Sequence, residues 1–417
     1  MANAAFSPLR HRRFLLTLSS SFVSSTGTWM QSVTLGVYLW DTTHSSTWLG
    51  IVTAALWMPA LVASPLGGVI ADRWNRQHWI QLNNLVMAAC ATTLAVCAFT
   101  NELSPRLIVA LALIEGFSSA GSWAAWQSLL PDLVDRNEVL AAVSLSAAQF
   151  NLGRIIGPSL AGLVLSVGSY GWCFAINAGT FVYVFIAFAF VRTAPREPKI
   201  TKLRVFHEVM EGARAAWGNA ACRNAILAIA VISFVLSPFI SQIPAMARHV
   251  LHGSRATVGW FTTAQGVGAV LAAFTLPTLA HRTSRLVVLR GALGALAVSV
   301  IAYGLAPTKS WALLALFVVG AAYMGCLNQL NASVQLHAPA AERSRILGLY
   351  TMALSVGFPL GSVVEGRFAD LFGLRAVTVT AGALGVVGLL SVLSWRPEFL
   401  RAMGANPQLQ LANVSTD

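Results

Sequence analysis

Charge is what this chain has least of. Only 10% of its 417 residues are Asp, Glu, Lys or Arg, where a soluble protein of that length needs about 25% to cover its surface. Such a chain cannot wet its outside, so most of that outside must be lipid. No GxxxxGK[ST] phosphate loop occurs, which argues against ATP-driven work by this chain alone. No HExxH, no GxSxG and no Ser/His/Asp grouping at one depth occurs, so the chain does not read as an enzyme. The five cysteines, Cys90, Cys97, Cys173, Cys222 and Cys326, are odd in number and lie inside apolar runs without a CxxC or His/Cys cluster. They read as buried thiols, with no metal site.

What is present is apolar and periodic. Hydrophobic residues make up 56% of the chain, and mean hydropathy is +0.68. They come in runs of roughly twenty, the length a helix needs to cross about 30 Å of hydrocarbon. The expected spans are 14–40, 47–70, 79–100, 106–130, 139–166, 170–191, 222–248, 256–280, 286–306, 310–336, 346–370 and 374–395. The first has no cleavage site and is too long for a signal-peptide core, so it reads as a retained helix.

The net charge of +12 reflects topology rather than a nucleic-acid partner. With the N-terminus inside, twenty Lys and Arg fall in cytoplasmic segments and five in outer ones, which places both termini in the cytoplasm. Trp40, Trp48, Trp172 and Trp311 mark the outer interface; Trp74, Trp79 and Trp395 mark the inner one. The one long hydrophilic connection reads partly helical from Phe206 to Trp217. The expected organisation is a six-helix half (1–195), a cytoplasmic linker (196–221), a second six-helix half (222–400) and a polar tail (401–417). The halves repeat weakly: Gly50, Asp72, Arg73 and Arg76 fall on Gly259, His281, Arg282 and Arg285 at a constant spacing of 209. Related halves mark secondary transporters.

Intramembrane charge is costly and seldom idle. Glu115 and Arg154 each lie near mid-depth of their spans, roughly 15–18 Å from the outer end at 1.5 Å per residue. As sequence neighbours, the fourth and fifth spans can bring them together: a proton-coupling acid beside a cation, or a static ion pair. Glu365, Arg367 and Asp370 read as a local group anchoring the outer end of the eleventh span. Polar stripes at helical spacing run along four spans: Ser21, Ser24, Thr28 and Gln31; Glu115, Ser118, Ser119, Ser122 and Trp126; Ser233, Ser237, Ser241 and Gln242; and Asn328, Asn331 and Gln335. They suit a substrate path or interhelical hydrogen bonds. Away from the belts, Trp29, Trp57, Trp123 and Trp126 read as core packing or, in part, an aromatic wall.

The loop after the second span, Gly68-Val-Ile-Ala-Asp72-Arg73-Trp-Asn-Arg76, resembles the GxxxDRxGRR signature of the major facilitator superfamily. It departs at Asn75 and Gln77. Asn75 stands where the family has Gly, and Asn tolerates positive φ better than most residues. The resemblance implies a cytoplasmic gate in which Asp72 faces the N-terminus of the eleventh span, with Gly68, Arg73 and Arg76 completing the loop. The fifth span carries Gly153, Gly157, Pro158 and Gly162, similar to the GxxxGPxxGG motif of the superfamily's antiporters. Gly27-Thr-Trp-Met-Gln31, Trp126-Gln-Ser-Leu-Leu-Pro131-Asp-Leu-Val134, and Asn151 with Arg154 resemble the bacterial exporter branch that includes the enterobactin exporter and macrolide efflux permeases.

That resemblance implies an all-α membrane protein, with twelve transmembrane helices in two pseudo-symmetric halves. It implies a multi-pass monomer of the bacterial cytoplasmic membrane. The expected activity is proton antiport exporting a small amphipathic molecule, with the proton gradient as its only energy source and no cofactor. The expected partners are that small molecule and the bilayer. Thr28, Gln31, Ser119, Ser122, Trp126, Asn151, Gln242, Asn328, Asn331 and Gln335 are the expected cavity residues, because the superfamily lines its cavity with the first, fourth, seventh and tenth helices. A symporter or facilitator for a nutrient is the rival reading. A membrane sensor on the same fold is a distant one.

Overall fold

Helix accounts for nearly all of the computed structural model, which describes residues 6–63, 75–191 and 205–404; no strand occurs among the described residues. The first six membrane helices are α1 (Arg12–Thr43), α2 (Ser46–Ala63), α3 (Arg76–Phe99), α4 (Pro105–Leu129), α5 (Val139–Val167) and α6 (Tyr170–Ala189). The second six are α7 (Ala220–Val250), α8 (Arg255–Arg282), α9 (Arg285–Gly304), α10 (Lys309–His337), α11 (Arg343–Phe372) and α12 (Leu374–Trp395). The ends match the expected spans to within a few residues where both are described. Eleven of these helices are long and apolar enough by composition to cross a membrane. The twelfth, α1, is the longest at 32 residues but falls short on hydropathy. Its Ser and Thr residues cause the shortfall. They spend their hydroxyls on their own backbone, as Thr17 does on Arg13 O, Thr28 on Ser24 O and Thr34 on Met30 O, which removes much of the polar cost.

Local chemistry sets the ends. Ser104, Ser284, Thr308 and Asn219 are N-caps, each accepting a backbone N–H with its side chain. Asn75 does the same for Gln77 at φ −63°. It is thus an ordinary N-cap, and the expectation of a positive-φ turn there is corrected: the side-chain cap replaces the glycine geometry. The internal repeat is visible at His44 and His252, which follow α1 and α7. Both adopt left-handed φ, at 50° and 49°.

α7 is the irregular helix. Two five-residue π turns, Ile232–Leu236 and Met246–Val250, flank a short α segment containing Pro244. Proline removes a backbone donor, and π turns widen the helix, often at functional positions.

The chain forms two compact units, Met1–Leu203 with Ala247–Thr263, and Arg204–Met246 with Ala264–Asp417. The first therefore takes in the last turn of α7 and the start of α8. Its core at one end of the bundle is Phe14, Ile80, Trp126, Leu129, Val184 and Phe188 with their neighbours. In the second, the linker helix Val205–Gly218 covers the expected helical stretch and ties to α11 through Glu211–Arg345 at 2.9 Å.

Candidate functional site

Close packing of α1 against α5 and α6 positions the site. A β-carbon at Gly153 would stand 2.6 Å from Ser25 Oγ, and one at Gly157 would stand 2.5 Å from Thr26 O and 2.6 Å from Trp29 Cβ. At Gly27 it would run into Asn177 Oδ1. These glycines let the helices approach to backbone distance. Gly162, with Pro158 inside the same helix, packs on Ala256 and Gly259 of α8.

That approach assembles a buried polar chain on α1, α4 and α6. Thr180 Oγ1 donates to Asn177 O and, at 3.0 Å, to Asn177 Oδ1. Asn177 Nδ2 donates to Gln31 Oε1 at 2.8 Å. Gln31 Nε2 donates to both oxygens of Glu115, each at 2.9 Å. Glu115 is only 5% exposed. Every donor in this chain points towards the carboxyl group, which ends it as acceptor. An acid held through a neutral amide keeps that contact whether or not it carries a proton. It has a fixed position and, among the described residues, no counter-cation, which suits a group that must take up and release a proton.

The expected pairing of Glu115 with Arg154 is therefore corrected. The guanidinium of Arg154 sits 5.6 Å from the centroid of the Trp29 ring, a cation–π contact. Trp29 and Gln31 are two residues apart on α1, on nearly opposite faces. One helix thus presents the amide to Glu115 and the ring to Arg154. Phe150 lies edge-on to Trp29 at 6.3 Å and Trp123 lies 5.7 Å from Phe150, so α1, α4 and α5 share an aromatic row. Trp123 is 51% exposed.

The remaining expected site residues divide. Thr28, Asn328 and Asn331 are half-buried and Ser119 is exposed. Asn151 is partly accessible, with its amide on Ala147 O. Gln335 donates to Asn331 Oδ1 at 2.6 Å. Ser122 has a buried Oγ without a hydrogen-bond partner. Trp126 is corrected: its ring lies in the core near Phe188, and its Nε1 donates to Ser146 Oγ at 3.2 Å. It buries too much apolar area to stay accessible. Gln242 is likewise enclosed, 1% exposed, with its Nε2 3.4 Å from Ser241 Oγ. Asn177 and Thr180 were missed. Their signal was an i, i+3 polar pair in an otherwise apolar sixth span.

Of the gate loop, Gly68, Asp72 and Arg73 lie outside the described residues. Arg76 is buried and donates to Ser128 O at 2.7 Å and to Asp132 Oδ2 at 3.0 Å. A cation there meets the orphan carbonyls at the C-terminal end of α4. It also joins two motifs well separated in the chain, the loop and Trp126–Val134.

A second polar cluster in the same unit centres on Asp41. Its carboxylate accepts from Arg248 Nε at 2.9 Å, Arg255 Nε at 3.2 Å and Tyr170 Oη at 2.6 Å. Arg255 also lies over the Tyr170 ring.

Comparison with known proteins agrees with this architecture. The family model described as "transmembrane secretion effector" matches residues 3–413. The chain is 26% identical over 394 residues to the enterobactin exporter EntS of Citrobacter koseri, covering 92% of each. It is 24% identical over 403 residues to the multidrug efflux pump Tap of Mycolicibacterium fortuitum, covering 93% of this chain and 97% of Tap. Among solved structures, the nucleoside transporter NupG superposes with TM-score 0.72 at 15% identity, over 92% of this chain and 100% of NupG. An inward-facing, occupied bacterial homologue of the lysosomal transporter Spinster gives 0.74 at 15%, over 96% and 99%. With its twelve helices and its match from end to end, the chain belongs to the transmembrane secretion effector family of the major facilitator superfamily, a family of membrane transporters rather than enzymes.

Proposed function

We propose that this protein is a proton-coupled antiporter that exports a small amphipathic molecule across the bacterial cytoplasmic membrane. It has both termini in the cytoplasm, works as a monomer, and draws on the proton gradient without a cofactor. The observation that carries this reading is Glu115: a carboxyl group enclosed within a membrane unit, held by one neutral amide and, among the described residues, by no cation. It is the kind of group that exchanges a proton during transport. Two relatives named as exporters, EntS and Tap, support the outward direction. So does the Gly153–Gly162 stretch. The row Trp29, Phe150 and Trp123 with Arg154 supports an aromatic or amphipathic cargo, since flat apolar faces and a cation suit such a solute. Thr28, Ser119, Asn151, Asn328, Asn331 and Gln335 are the polar groups proposed to meet it.

Inside-out vesicles with an imposed pH gradient test this, with enterobactin, erythromycin and ethidium as probes. Wild-type vesicles accumulate at least one probe when the interior is acid. Glu115→Gln keeps probe binding but loses gradient-driven accumulation. A Glu115→Gln transporter that still concentrates the probe sinks the coupling role. Accumulation under the reversed gradient instead points to symport.

A further inference from the structure

The second unit holds another enclosed carboxyl group, one that the proposed coupling through Glu115 does not use. Glu365 was expected to join Arg367 and Asp370 in a local group near the end of α11. Glu365 stands apart from Arg367, since residues two apart on a helix point away from each other. Arg367 and Asp370 are exposed, whereas Glu365 is 7% exposed. It lies about 11 Å from the C-terminal end of α11 at 1.5 Å per residue, well inside the membrane-spanning stretch.

Among the described residues it forms neither a hydrogen bond through Oε1 nor an ion pair. Oε1 has no hydrogen-bond partner. One turn earlier, Gly361 meets the backbone carbonyl of Phe234 in the first π turn of α7, which brings the two helices together. Ser237 spends its hydroxyl on Ile232 O and Ser362 on Phe358 O, while Ser233, inside the π turn and packed against Gly357, keeps a buried Oγ without a hydrogen-bond partner. Two cations of this unit are used elsewhere. Arg345 pairs with Glu211 and Arg375 binds the carbonyls of Gly304 and Ala306. The Tyr350 hydroxyl goes to Leu327 O. Among the described residues no cation lies within ion-pair distance of Glu365. Tyr303 of α9 belongs to the same unit. The Tyr303 hydroxyl is itself buried without a partner, and its ring packs on Phe239 of α7.

An ionised carboxylate in such a place lacks both water and a counter-ion, and the neutral acid is the form such a place tolerates. We infer that Glu365, enclosed where α11 packs on the π turn of α7, is a second intramembrane proton-binding site, separate from Glu115. The ligand is a proton on the carboxyl group. The site stands on its own geometry and does not depend on whether Glu115 couples transport.

Infrared difference spectra of the full-length protein in proteoliposomes test this without any substrate. Subtracting E365Q from wild type at neutral pH leaves the C=O stretch of a protonated carboxylic acid, and raising the pH converts it to carboxylate bands. E115Q keeps that Glu365 signal, which separates this result from any failure of the Glu115 reading. If subtraction leaves only carboxylate bands at neutral pH, the site is ionised and the inference is overturned. Sodium converting the acid signal to carboxylate at constant pH, where choline does not, makes it a metal-cation site instead and also overturns it. Should E365Q fail to fold, dicyclohexylcarbodiimide labelling of wild type decides. The expected result is modification at Glu365 that fades as pH rises; modification absent at Glu365 while present at Glu115 counts against the site.

Discussion

Glu115 in the first unit and Glu365 in the second are about equally buried, at 5% and 7% exposed, yet they are held in different ways. Glu115 ends a relay of three side chains in which every donor points towards it. Glu365 lies one turn after Gly361, which packs on the π turn of α7, and keeps an oxygen with no donor although Ser233 in that turn has an unpartnered hydroxyl. The same residue type at a similar degree of enclosure thus has a neutral anchor in one unit and none in the other. The difference lies in the neighbouring helices. α1 brings an amide to Glu115 and α6 holds that amide in place, while Ser233 of α7 and Tyr303 of α9 keep hydroxyls that bond to nothing.

The largest effect tests what the two units share. Gly157→Val and Gly361→Val each push a side chain into the backbone of a neighbouring helix. Each is expected to cost about 3 kcal/mol, read as a fall in melting temperature in detergent. If one is tolerated, the close approach in that unit is not required, and the likeness between the units breaks. The next test separates the two acids. Gln31→Leu strips Glu115 of its donor and is expected to destabilise by about 2 kcal/mol. Glu365→Gln removes no ion pair and no hydrogen bond to Oε1, and its melting temperature is expected to stay near that of wild type. Equal losses in both variants would erase the contrast drawn above.

The smallest effect lies outside the membrane. Glu138, just before α5, binds His11 at 2.6 Å. A hydrogen bond from Ser7, followed by that from His11, holds its carboxyl below the usual Glu range. A depressed acid contributes its tether above the ordinary Glu range and loses it as pH falls through the lowered value. Proteolysis near residues 6–11 is therefore expected to quicken only on acidification, with Ser7→Ala moving the onset to higher pH. A pH-independent rate would assign the tether to packing alone.

Helix number, span ends, the linker helix and the family were legible in the chain. Length, apolar composition and capping residues act locally, and each span must satisfy its own backbone in lipid. Glu115 stood out too, because an acid in an apolar run is anomalous wherever it lands. Its partner did not. Arg154 was the expected partner, on the neighbouring span at a similar depth, but a helix reads out its faces through packing. Gly27, Gly153 and Gly157 bring α1 so close to α5 and α6 that Gln31, held by Asn177, reaches the acid while Trp29 takes the cation. Trp126 shared a stripe with Glu115 and still went into the core, since its ring found Phe188 and its N–H found Ser146. Glu365 was visible as a charge, but its isolation depended on a π turn in α7 that no periodicity announced. Composition determined that this protein spans a membrane and where each helix begins and ends. Only the contacts between helices decided which buried acid has a donor and which has none, because hydrogen bonds form over about 3 Å of space and not along the chain.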